Sequence, residues 1–252
     1  MRNKFVIIFI FLLAIFVVLW VRIQILGIRD TNENYFFNFY SIIPIFGAFV
    51  GWLVAARFGG LKSVLGRAIS MLAAGLLAWG LGGFVWLWYN LVFQVPVPQP
   101  SLADYLFVGA YIFWAFGTIY LAKAAGIRFF PQETFAGKTI LVVVPVLLVV
   151  LITVFYILLR TGSSSNLLSY VVFVPLLIYT GSILPLVLNL YGGKFFKATG
   201  LVVLGFFILY LAGTSFFYSV ANNTYYNGHL SDLFFAAGFS VISTGIALFY
   251  PD

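Results

Sequence analysis

The apolar positions of this chain run on without interruption for whole segments. After Arg2 and Lys4, Phe5–Val21 carries no charge, and the apolar run continues to about Leu26. Seven more such runs follow, at about Tyr40–Ala56, Ile69–Phe93, Leu102–Ala125, Thr139–Leu159, Leu167–Tyr191, Ala198–Val220 and Leu230–Tyr250. Each is near the roughly 20 residues that an α-helix needs to cross hydrocarbon. The polar stretches between them are short. Residues 27–39 carry Arg29, Asp30 and Glu33. Residues 57–67 are basic, 94–101 contain PVPQPS, 126–138 form the longest polar gap, and 221–228 read ANNTYYNG. The pattern predicts an all-α integral membrane protein with eight transmembrane helices. The first run lacks a small-residue cleavage site, so it reads as a retained helix rather than a signal peptide.

Composition agrees. The 252 residues are 63% hydrophobic and 8% charged, against about 25% charged in a soluble domain. A soluble chain this short could not hide so much apolar surface. The net charge of +7 is no nucleic-acid footprint, because the basic residues are scattered singly through the loops. If the N-terminus is cytoplasmic, ten of the 13 Lys and Arg residues fall inside, and only Arg22, Arg29 and Arg160 fall outside. That skew places both termini in the cytoplasm of a cell-membrane protein. There are no cysteines and one histidine, His229. Thiolate metal sites, iron–sulfur clusters and multi-histidine centres are thereby excluded within one chain. No cofactor, metal site or catalytic residue is expected.

A repeat runs through the chain. PSLADYLFVGAYIFWAFG at 100–117 is echoed by HLSDLFFAAGFSVISTG at 229–245. Asp104 and Asp232 lie 128 residues apart, as do Phe107 and Phe235, and Gly117 and Gly245. The whole chain, 1–252, reads as one membrane domain of two parallel four-helix repeats, about 1–126 and 127–252. An even number of helices per half makes the repeats parallel rather than inverted.

Asp104 and Asp232 are the leading candidates for a ligand site, at two outer helix starts. Helix capping is the plainer account: Ser101-x-x-Asp104 fits a capping box, and an anion suits a helix N-terminus, but capping does not explain why the second copy keeps Asp232 with His229 in the place of Ser101. Trp86, Tyr89, Tyr111 and Trp114 gather with other rings toward the outer leaflet. They are either an interfacial belt or the lining of a pocket for a small apolar or lipid-like ligand. Asn90 is an interfacial amide, and His229 precedes Asp232 by three residues as a possible ligand or pH-responsive group. No lysine lies mid-helix for a Schiff base, and no phosphate-loop, zinc-protease or serine-hydrolase motif occurs.

Pro100-Ser101-Leu102-Ala103-Asp104, with Phe107 and Tyr111 beyond, resembles a motif of multi-helix membrane sensor regions. Those regions precede diguanylate cyclase or histidine kinase domains. Here Phe107 stands where that pattern has tyrosine, and no output domain follows in these 252 residues. The resemblance implies a sensor or receptor-like module. It would bind a small or lipid-like ligand, or a partner protein, at its outer face and pass a signal to a separate cytoplasmic protein. A tandem-repeat transporter is the alternative, and a membrane-embedded lipid enzyme a third reading.

Overall fold

The computed structural model describes residues 2–29, 32–95, 97–98, 101–124 and 193–250. Among these residues every regular element is helical. They are α1 (Arg2–Leu26), α2 (Asn32–Phe37), α3 (Ile42–Arg57), α4 (Val64–Trp88), α5 (Leu102–Ala124), α6 (Phe196–Ala221) and α7 (Leu230–Ala247). Short 3-10 turns occupy Asn38–Ser41 and Gly60–Lys62, and a π turn, Tyr89–Phe93, extends α4. Six helical stretches are long and apolar enough to cross a membrane. The expected segments Thr139–Leu159 and Leu167–Tyr191 lie outside the described residues.

Element boundaries follow local chemistry more than hydropathy. The third span was expected to begin at Ile69, but α4 begins at Val64 because Ser63 caps it. The Ser63 hydroxyl accepts the Gly66 N–H at 2.9 Å, one of the donors a helix start leaves orphaned. Arg67 is tolerated in that first turn because its Nε donates to the Leu61 carbonyl at 2.8 Å. Residues 27–39, read as a loop, contain α2 instead. At the other end of the chain, α7 stops at Ala247 rather than Tyr250.

Two antiparallel pairs dominate the packing: α4 on α5, and α6 on α7. Helix α3 lies against both α4 and α7, and α1 lies against α7. Close approach within the pairs depends on glycine. Gly75 faces the Trp114 ring, and a side chain at Gly117 would meet Leu72 at 2.9 Å. In the second pair Gly205 faces Ile242, and a side chain at Gly245 would meet the Val202 backbone at 2.9 Å. Small residues let apolar helices in lipid gain dispersion contact without a hydrophobic driving force. Between the pairs, the Trp79 ring touches Phe107, Tyr111, Trp114, Phe235 and Phe239, with centroids 4.6–5.8 Å apart. This aromatic cluster is the middle of the core.

The two ends of the bundle differ. At one end Arg57 lies over Tyr250, Arg67 and Lys123 lie near Tyr120, and Phe58 meets Phe195. At the other end the last turn of α1, the α2 segment, the π turn and loop 222–229 converge. Their convergence builds the site.

Candidate ligand cavity beside a buried carboxylate

Loop 222–229 is fixed from two directions. Within the loop, Gly228 adopts a φ of +84°, a left-handed conformation that glycine reaches without a Cβ clash. That turn points the Gly228 N–H at Asp232 Oδ2, 2.8 Å away. The Tyr225 hydroxyl lies 3.4 Å from both Asp232 oxygens. Burial first, and the Asp232 charge second, push the Tyr225 phenol well above its ordinary value of 10.0, so it stays a donor. Asp232 itself is 2% exposed. His229 is the N-cap of α7: its Nδ1 accepts the Ser231 N–H at 3.2 Å and lies 3.0 Å from the Ser231 hydroxyl.

From outside, α1 and α2 hold the same loop. Gln24 Nε2 donates to the Gly228 carbonyl at 3.0 Å, and the Tyr226 hydroxyl donates to Gln24 Oε1 at 2.7 Å. Asn34 Nδ2 donates to the Ile28 and Asn227 carbonyls at 2.8 and 2.9 Å. Asn38 Nδ2 donates to Asn227 Oδ1 at 2.7 Å. The Arg29 guanidinium lies 4.4 Å from the Tyr226 ring centre, within cation–π range.

Beside this knot is a cavity of about 320 Å³, lined by Tyr35, Trp86, Asn90, Gln94, Val95, Val97 and Asn227. Three features distinguish it. Asn90 is 8% exposed, and its Nδ2 is buried without a hydrogen-bond partner. A buried unpaired donor costs about 1–3 kcal/mol. Asn90 also lies in the π turn, a geometry that recurs at functional sites. Finally, Gln94 holds a φ of +53°, an uncommon state for a residue with a side chain. Strain of that kind concentrates at ligand sites.

Of the side chains singled out in the sequence, Trp86 and Asn90 line the cavity. Asp232 and His229 lie next to it and secure the loop that carries Asn227. Tyr89 packs on Phe93, with centroids 5.6 Å apart, and is not in the lining. Tyr111 and Trp114 lie in the core against Trp79. Trp114 is fully buried and donates from Nε1 to the Leu72 carbonyl at 3.2 Å. Asp104 caps α5, with Oδ2 accepting the Ser101 N–H at 2.6 Å and the Ser101 hydroxyl at 3.0 Å. Tyr35, Gln94 and Asn227 escape a reading of the sequence because they sit in short polar stretches with no periodicity. The Asn-rich ANNTYYNG loop was the one available signal. Among the described residues no group of three His, Cys, Asp or Glu side chains could hold a metal ion.

Fold and site together define an all-helical chain with bilayer-length apolar helices and a neutral polar cavity at one end. Comparison with family models, curated proteins and solved structures finds no match.

Proposed function

We propose that this chain is a multi-pass membrane protein of the sensor or receptor kind, binding a small ligand in the cavity lined by Trp86 and Asn90. The observation that carries this reading is the cavity itself, walled by Trp86 and by the amide residues Asn90, Gln94 and Asn227. The resemblance of Pro100–Asp104 to membrane sensor regions points the same way.

The cavity belongs on the outer face. Basic residues at the opposite end of the described helices (Arg57, Lys62, Arg67, Lys123, Lys194 and Lys197) outnumber those near the cavity end, Arg22 and Arg29. Basic loops stay cytoplasmic. Eight spans with both termini inside fit that placement, and the helix pairs support the tandem repeat. Gly75 and Gly205 lie 130 residues apart and their partners Trp114 and Ile242 lie 128 apart; Leu72 and Val202, with Gly117 and Gly245, keep the same two offsets. The same contacts at the same helical register favour duplication over chance likeness of apolar composition. The two-residue difference falls in the connection, which is shorter before α7. A ligand held between α2, α4 and the loop before α7 touches both halves, as a signal-transmitting site requires.

Native mass spectrometry of protein extracted gently from its membrane tests this reading. Wild-type protein is expected to retain a small-molecule adduct that Asn90→Leu loses. An adduct retained equally by the variant, or no adduct in either, would count against it.

A further inference from the structure

We propose that Arg67 and Lys123 bind the phosphate headgroup of an acidic phospholipid in the leaflet at the basic end of the bundle. This rests on the chain being a membrane protein and goes beyond the sensor reading. It does not depend on the cavity holding a ligand.

Two cations share one ring at that end. Arg67 Cζ lies 5.8 Å and Lys123 Nζ 5.6 Å from the centre of the Tyr120 ring, each within cation–π range. Arg67 belongs to the first turn of α4 and Lys123 to the last turn of α5, and these helices pack on each other. The Arg67 Nε bond to the Leu61 carbonyl, 2.8 Å long, holds the guanidinium in place and leaves its terminal nitrogens to donate. Two like charges drawn to one ring call for an anion. The described carboxylates do not supply it: Asp104 and Asp232 accept the Ser101 and Gly228 N–H groups at the opposite end. Asp30 and Glu33 flank the start of α2, at the cavity end too. Glu133 and Asp252 lie outside the described residues.

The surroundings select a lipid as the source of the anion. Both cations stand where apolar spans end, Val64–Phe93 and Leu102–Ala124, which is headgroup depth. Ile112, Phe116 and Ile119 are exposed, and their spacing puts them on the α5 face that ends at Lys123. Leu61 and Val64 are exposed beside Arg67. A soluble phosphate or an acidic peptide would use the charges alone. A phospholipid uses the charges for its headgroup and the apolar face for its chains, and basic sites between transmembrane helices hold acidic headgroups in this way.

The full chain is reconstituted in nanodiscs of equal phosphatidylglycerol and phosphatidylcholine with matched chains, then released into detergent, and the lipids it retains are counted by native mass spectrometry. Wild type is expected to prefer phosphatidylglycerol about thirtyfold, the scale of two basic residues at a charged surface. Arg67→Gln with Lys123→Gln is expected to abolish the preference. Lys194→Gln with Lys197→Gln removes the same charge at the same end and is expected to keep it. Equal loss in both pairs, or no loss in the first, would overturn the site. Lys123→Gln alone, at an exposed position, is expected to lower the preference about fivefold, which keeps the test sound if the double variant folds poorly. Added sn-glycerol 3-phosphate is expected not to displace the lipid; displacement would overturn a lipid in favour of a soluble phosphate. Wild type that enters nanodiscs but retains both lipids equally, as an internal partner such as Glu133 would cause, would overturn this inference alone. A chain that does not enter nanodiscs would overturn the membrane reading with it.

Discussion

Asn90 and His229 are both polar side chains at helix ends, and only one has its hydrogen bonds arranged within the protein. His229 Nδ1 already accepts from the Ser231 N–H, so the folded state holds the ring neutral. Burial first, and the Arg29 charge second, lower its pKa from 6.5. The folded chain then binds fewer protons than the unfolded one between the two pKa values, so stability rises with pH there. This contribution is intact above about pH 6.5 and is lost as pH falls through the lowered folded value. His229→Asn keeps an N-cap acceptor but does not titrate. The expected result is that thermal stability in detergent drops less between pH 8 and pH 5 in the variant than in wild type. An equal drop in both would contradict the neutral-cap assignment. At this scale the sequence marked the right residue types but not their partners. Asp104 and Asp232 match in spacing and in motif. Yet Asp104 serves Ser101 three residues back, whereas Asp232 serves Gly228 four residues back, through a left-handed turn that spacing does not reveal.

The six long helices of the described residues were legible because continuous apolar runs leave few alternatives in lipid, where every backbone group must be satisfied within its own segment. Their ends were less so: Ser63 starts α4 early, and the π turn at Tyr89–Phe93 leaves no mark on hydropathy. Glycine gives the sharpest test of how the helices pair. A side chain at Gly205 would meet the Ile242 backbone nitrogen at 2.8 Å and the Gly238 carbonyl oxygen at 3.0 Å, neither of which can rotate away. Gly75 is closed by the fully buried Trp114. Gly109 has nothing within 4 Å of an added Cβ. Gly75→Ala and Gly205→Ala are each expected to cost about 1–3 kcal/mol through overpacking. Gly109→Ala is expected to gain about 0.5–1 kcal/mol from helix propensity. Melting in detergent checks the order. Equal effects at the three positions would contradict the pairing of α4 with α5 and of α6 with α7.

Among the described residues, most basic side chains lie at the end opposite the cavity, and under the proposed sensor reading that separation gives a signal its direction. The sequence offers an expectation of that direction because basic residues sort by side of the membrane whatever the packing. It could not assemble the cavity, since Tyr35, Trp86, Asn90 and Asn227 come from three separate stretches that meet only when the helices pack. The chain has no cysteine, so one introduced thiol reports a single place. Gln94→Cys puts it at the cavity, and Lys62→Cys puts it at the basic end; both positions are exposed. The decisive measurement is labelling of these two variants in intact cells by a membrane-impermeant maleimide. The cavity thiol is expected to react from outside, while the thiol at position 62 reacts only after the membrane is opened. A cavity thiol that reacts only in opened membranes would contradict a cavity on the outer face.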